Sequence, residues 1–372
     1  MNLNQKLIST IFFDNIKMNI GINKKKKKNN NKYLTKKMEN RNEEKALELS
    51  QDFNDYIDDI KLVPHKIGFA KDYVEKNIHN KNIDNNNCFN ASLHCLTNIT
   101  ILSKFILKQN YKENKYIDLI SKLEEDKDIN QKKEYINDCL QDLREYLKEK
   151  KYKFKEKDNE DPRKLIEFLL NDLPQNSLPN EIKSIFLKKC NSCNNINGNL
   201  ELNIIKFDIP EIIKNNNNKQ LKIYDCFDFY FKSLNCDKCH HKNIDITVKL
   251  PKIIIIFIDY GKDNNCFYDI SYEFDENIKF GNDKFLKDED KNNQYFLYSI
   301  IVGKNIGTEF ELFYTFALED YKKNKYILYN GNEFHSKHKV SKYLKKKEID
   351  FKNKKESFPF VLVYIEKNYA FL

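Results

Sequence analysis

Arginine is scarce: Arg41, Arg144 and Arg163 are the three among 65 basic residues. Arginine is the side chain that reads phosphates and base edges in fixed geometry, so a net charge of +9 does not predict a nucleic-acid groove. The lysines alternate with Glu, Asp and Asn, which reads as compositional bias laid over an ordinary fold. Long apolar runs are absent, and none would span a bilayer. The early "LISTIFF" lacks the small-residue site of a secretory signal, so no membrane partner is expected. Regular cysteine spacing is missing too. Nine cysteines scattered through 372 residues predict a soluble protein of a reducing compartment, cytoplasmic or nuclear, with thiols kept for metal or chemistry. Finally, no histidine occurs between His241 and His335.

What is present builds a core: 40% of the residues are hydrophobic and 13% aromatic. Residues 1–45 carry the run "KKKKKNNNK" (Lys24–Lys32) and are expected to form a disordered Lys/Asn-rich tail. Residues 46–372 are expected to form one domain. From about Asn90, Leu93, Leu96, Ile99, Leu102 and Ile106 recur at helical steps and give one apolar face. Further helices are predicted near 115–152, 161–173 and 180–188. In "DPRKLIEFLLNDL", Asp161 suits the cap and Pro162 the first turn. After Cys190 the chain turns strand-like: 200–210, 246–261, 295–303, 310–318, 325–331 and 358–367 are rich in Ile, Val, Tyr and Phe. Helices first and strands afterwards predict an α+β fold.

The most specific chemistry is "CNSC" (190–193) and "CDKC" (236–239). Each pair sets two thiolates on one tight turn, and two pairs supply the four soft ligands of a tetrahedral zinc. Cys190, Cys193, Cys236 and Cys239 are thus expected to hold a structural zinc between two β-hairpin knuckles. His240 and His241 follow at once and offer substitutes for one ligand. Neither pair opens a helix in a βαβ unit, which disfavours a redox role. Cys95, Cys139, Cys226 and Cys266 read as buried small hydrophobes.

The order of these blocks resembles the catalytic domain of the ubiquitin-specific proteases over about residues 65–368. "NASLHCLTNITILSKFIL" resembles the family's first helix, "DPRKLIEFLLNDL" its Asp-Ala-x-Glu-Phe-Leu helix and "LPKIIIIFIDYG" its Leu-Pro-x-x-Leu-Ile-Ile strand. "YFLYSIIVG", "ELFYTFAL", "YILYNGNEF" and "FPFVLVYIEK" are similar to the last palm strands, in order. The resemblance implies a papain-like cysteine peptidase fold: a helical thumb near 88–185, zinc-ribbon fingers near 186–250 and an antiparallel palm near 246–368.

Such a peptidase needs a cysteine at a helix N-terminus, a histidine base, a residue orienting that base, and oxyanion donors. Laid without a gap, the family's Asn-x-Gly-Asn-Thr-Cys motif puts Asn82 at the oxyanion position and Asn87 in the nucleophile slot, with Cys88 one residue beyond. Deleting one residue makes Cys88 the nucleophile but moves the oxyanion position to Ile83. The family's histidine falls on Phe313, and its orienting Asp or Asn on Asn330. An active chain would have to draw its base from His65, His79 or His94. His335 and His338 read as surface residues.

The resemblance therefore implies a pseudoprotease that binds ubiquitin, a ubiquitin-like protein or another partner, within a larger assembly. Acidic stretches at 273–277 and 287–291 read first as solvated loops and second as steering for a basic partner. The alternative is an active deubiquitinase using Cys88, and a third reading is a plain zinc-ribbon interaction protein.

Overall fold

The structure, a computed structural model, describes residues 85–108, 114–124, 129–152, 161–173, 182–193, 196–202, 204–215, 220–236, 238–242, 244–261, 271–280, 293–305, 310–330, 333–346 and 357–367. The expected tail at 1–45 lies outside them, as do Asn82, His65, His79 and Cys266.

Helix α1 (Asn85–Thr97) is followed directly by α2 (Thr100–Lys108). The sequence pattern predicts one unbroken helix here. It breaks because Thr97 Oγ1 and Asn98 Nδ2 donate back to the carbonyls of Leu93 and His94, both at 2.7 Å. Such local bonds compete with the helical ladder. The predicted helix at 115–152 is likewise two helices, α3 (Lys115–Glu124) and α4 (Ile129–Glu149). Asn114 caps α3 by accepting the Tyr116 N–H at 2.9 Å.

Helix α5 (Pro162–Asp172) starts as its sequence dictates: Asp161 Oδ1 accepts the Arg163 N–H at 3.0 Å, and Pro162 occupies the first turn. Its buried stripe is Leu165, Ile166, Leu169 and Leu170.

The predicted helix at 180–188 is instead strand β1 (Lys183–Cys190). It pairs antiparallel with β2 (Ile196–Leu202) on one side and β5 (Ile244–Lys249) on the other. Pairing on both edges outweighs a weak local helical pattern. The run 200–210 also divides. Its start closes β2, its middle is β3 (Ile204–Asp208), and Ile209–Asn215 is helix α6. Asp208 Oδ1 accepts the Glu211 N–H at 3.0 Å and Pro210 follows, a helix start. Between the cysteine pairs the chain therefore leaves the ribbon, adds β3 to the main sheet, and returns through α6, β4 (Gln220–Lys222) and α7 (Ile223–Ser233). The expected second hairpin knuckle is a turn after α7.

The run 246–261 splits at Pro251 into β5 and β6 (Ile253–Asp259), which lie in different sheets. Among the described residues the main sheet has the order β12-β11-β10-β9-β14-β6-β3. Its strands are β9 (Gln294–Asn305), β10 (Phe310–Asp320), β11 (Lys325–Asn330), β12 (Glu333–His338) and β14 (Ser357–Glu366) with β6 and β3, and β8 (Asn277–Lys279) joins β9. Every pairing is antiparallel except β3 with β6. A small third sheet joins β7 (Ser271–Glu273) to β4 and to β13 (Lys345–Lys346), which follows the short helix α8 (Ser341–Leu344). Ile253–Ile258 and Phe358–Ile365 are buried throughout, as befits strands covered on both faces. No described helix is long and apolar enough to cross a membrane.

Candidate functional site

Two contacts set the register of α1 against the main sheet. Thr315 Oγ1 on β10 donates to the Ala91 carbonyl at 2.7 Å. The hydroxyl of Ser299 on β9, the strand partner of Ala317, lies 3.6 Å from Cys95 Sγ. Cys95 thus lies level with Ala317, and Ala91 with Thr315. The next step along α1 is four residues, about 6 Å, and along β10 two residues, about 6.7 Å. Extended by these matched steps, the same register would set helix position 87 against Phe313. Of Asn87 only the helical backbone is described.

Cys88 is one residue on, turned about 100° from the stripe of 87, 91 and 95. The residue above it on its own stripe is Ser92. The Ser92 hydroxyl lies 2.9 Å from the Cys88 carbonyl and 3.3 Å from the Pro162 carbonyl at the start of α5. Cys88 is 2% exposed and shares the helix flank that meets α5. The next residue, Phe89, is buried under the Arg144 guanidinium, 4.1 Å from its ring centroid.

Phe313, the residue to which the resemblance assigns the base position, lies on β10. Its ring meets Phe360 of β14 edge to face, centroids 5.3 Å apart at 89°. Tyr260 packs on Phe360 at 5.9 Å, and the Arg163 guanidinium lies 5.4 Å from the Phe360 centroid. Arg163 is held by both Asp161 oxygens, by the Ile258 carbonyl at 2.6 Å and by Asp259 at 3.4 Å. Burial alone would lower its pKa; the Asp161 and Asp259 carboxylates outweigh that and raise it. The Phe313 side thus presents rings and a fixed cation, and none of these groups takes a proton from a thiol.

Asn330 ends β11, half-buried, and pairs with Glu333. Strand side chains alternate, so Asn330 and the preceding Tyr329 face opposite sides of the sheet. Tyr329 faces α1: its hydroxyl bonds Asn98 Oδ1 at 3.2 Å, and its ring stacks on His94 at 4.4 Å. His94 is therefore in the core, about two and a half turns below the start of α1. His335 and His338 lie on β12. His335 is exposed, and His338 packs its ring on Phe316 at 6.1 Å. Burial first, then His335 and Lys342, lower the His338 pKa.

The four ribbon thiols come together. The sulfurs of Cys190, Cys193, Cys236 and Cys239 all lie within 4.8 Å of one another, with Cys190–Cys239 at 3.4 Å and Cys193–Cys236 at 3.7 Å. These spacings far exceed a disulfide and match the edge of about 3.8 Å that four sulfurs take around one ion at zinc–thiolate distance. Backbone N–H groups of Cys193 and Ser192 aim at Cys190 and lower its thiol to about 6. Those of Cys239 and Lys238 lower Cys236 in the same way. The His241 N–H lowers Cys239, but burial and the neighbouring thiols carry it up to about 12, as expected where close thiols titrate together. His240, at a φ of 57°, and His241 are exposed and lie outside the cluster. The donor set suits a metal ion.

The family model of the ubiquitin carboxyl-terminal hydrolases matches residues 79–364. The chain belongs to this hydrolase family. Among solved structures it is similar to a SAGA DUB module of Ubp8, Sgf11, Sus1 and Sgf73 bound to monoubiquitin, with 14% identity and a TM-score of 0.50 over 86% of this chain and 74% of that one. A structure of the SAGA Ubp8 module bound to ubiquitin aldehyde matches at 14% identity and a TM-score of 0.49, over 83% and 71%. An essential yeast splicing factor matches at 17% identity and a TM-score of 0.47, over 82% and 70%. No curated protein matches by sequence. At these identities the likeness shows the fold alone: the papain-like α+β fold of the hydrolase family.

Within that fold, sequence reasoning missed the group around Phe313. Gly303 reads as the last letter of a strand, Phe360 as one of many core aromatics, and Arg163 as an ordinary helix residue. The scarcity of arginine was the available signal, since two of the three, Arg144 and Arg163, stack on rings. The acidic stretch 273–277 is engaged within the protein: Glu273 pairs with Lys345, and Glu276 accepts from Asn324. The stretch 287–291 lies outside the described residues.

Proposed function

We propose that this hydrolase-family chain is a pseudoprotease that binds ubiquitin or a ubiquitin-like protein, as part of a larger protein assembly, and does not cleave it. The observation that carries the reading is Phe313, a ring held against Phe360 where the family's base belongs. A cysteine peptidase needs a group there that takes and returns a proton, and phenylalanine has none. Asn87 takes the nucleophile slot, level with Phe313, and an amide forms no thioester. The resemblance assigns Asn82 to the oxyanion position; Asn330 keeps the identity of the orienting residue, but its side chain faces away from α1.

The thumb spans about 88–185, the fingers about 186–250 and the palm about 246–368. The fingers hold one structural zinc on Cys190, Cys193, Cys236 and Cys239. A closed, four-thiolate site does no catalysis and stabilises the ribbon.

The alternative, a deubiquitinase using Cys88, has in its favour a cysteine in the first turn of α1. Against it stand the near-complete burial of Cys88 and its place on the α5 flank. Titrating the purified chain with ubiquitin while assaying hydrolysis of a ubiquitin C-terminal amide tests the proposal. Saturable binding without turnover supports it; turnover lost in Cys88→Ala overturns it.

A further inference from the structure

Gly303 is the strand partner of both Phe313 on β10 and Phe358 on β14. A Cβ at this position would lie 2.6 Å from Phe360 Cε2 and 3.0 Å from Phe313 Cε1. The missing side chain is therefore the space in which the two rings converge. Phe313 and Phe360 are 5% and 6% exposed, so both rings are almost shut off from solvent. Tyr260 and Arg163 pack on Phe360, and the Asp161 fork pins Arg163.

A hydrolase acting at a carboxyl terminus must bring the scissile carbonyl to the nucleophile, with the base within hydrogen-bond reach of the same point. The volume between helix position 87 and strand position 313 is thus the volume that a partner's carboxyl-terminal tail has to reach. Here its palm wall is built of interlocked rings.

We infer that Phe313 and Phe360, admitted by Gly303, form a plug on the base side of the cleft, so that a ubiquitin-like partner is held by its folded body and not by its carboxyl-terminal tail. The inference rests on the proposed binding function and specifies how it operates. Affinity resides in the surface around the cleft, and a partner whose carboxyl terminus is already joined to another protein binds as well as a free one. Tail residues contribute nothing here.

Calorimetry with ubiquitin and with ubiquitin lacking its last residues tests the consequence. The expected dissociation constants agree within about twofold. A loss of about tenfold or more on removing the tail overturns the plug and leaves the binding function standing. Failure of both forms to bind overturns the binding function itself, and the inference falls with it. The interlock has its own readout. Gly303→Ala is expected to lower the melting temperature, Phe360→Leu to lower it less, and the double variant to recover most of the Gly303→Ala loss, because the smaller side chain makes room for the new methyl. Strictly additive shifts would overturn the plug. If Gly303→Ala fails to fold, recovery of a folded chain in the double variant gives the same answer.

Discussion

The Thr315 hydroxyl donates to the Ala91 carbonyl at 2.7 Å, and this bond sets the height of α1 above the palm strands. With the Ser299–Cys95 contact it forms a two-rung ladder between α1 and the main sheet. Thr315 is fully buried, so Thr315→Val keeps the volume but leaves the carbonyl without this donor. The expected cost is about 1–3 kcal/mol, read from urea denaturation midpoints. Thr315→Ser, which retains the hydroxyl, is expected to lose less.

Asp161 does two things at once. It caps α5 through the Arg163 N–H and grips the Arg163 side chain. Replacing a capping aspartate alone costs about 1 kcal/mol, and removing one partner of a part-buried pair adds to that. Asp161→Ala is therefore expected to cost more than Asp161→Asn, which retains the cap, in thermal or urea unfolding.

Metal content tests the ribbon. The purified chain is expected to carry about one zinc equivalent, and a strong chelator to lower its melting temperature. Cys236→Ser should abolish retention, while Cys139→Ser should not. Full cooperative stability with no bound metal would contradict the assignment.

Alkaline pH has a defined direction. Burial raises the Cys95 thiol from 9.0 to about 12, against a smaller lowering by the Ser299 contact. Burial also raises the Tyr298 hydroxyl from 10.0 to about 12. In the unfolded chain both ionise near their ordinary values. Between pH 9.0 and about 12 the unfolded state therefore binds fewer protons than the folded state, and stability falls as pH rises. Denaturation midpoints are expected to hold up to pH 9.0 and decline above it, with a shallower slope in Cys95→Ala.

Much of this was legible in the residues themselves. The Asp161–Pro162 start of α5 follows from local chemistry that needs no distant partner, and the four-thiol cluster from two Cys-x-x-Cys turns that each announce half of a tetrahedral site. The strand blocks announced themselves through Ile, Val, Tyr and Phe. The failures share one cause, which is pairing or bonding supplied from elsewhere. Residues 183–190 look helical alone and become a strand between β2 and β5. The break at Asn98 depends on side chains turning back onto the helix. The plug stayed hidden because Gly303, Phe313 and Phe360 lie on three strands, and only their register brings them together.

The most direct test of the central claim is a ubiquitin probe carrying a C-terminal electrophile, incubated with the purified chain and followed by intact-protein mass spectrometry. A pseudoprotease with Phe313 at the base position predicts no covalent adduct, from the native chain or from Cys88→Ala. An adduct on the native chain that disappears in Cys88→Ala would contradict the account and make Cys88 the nucleophile.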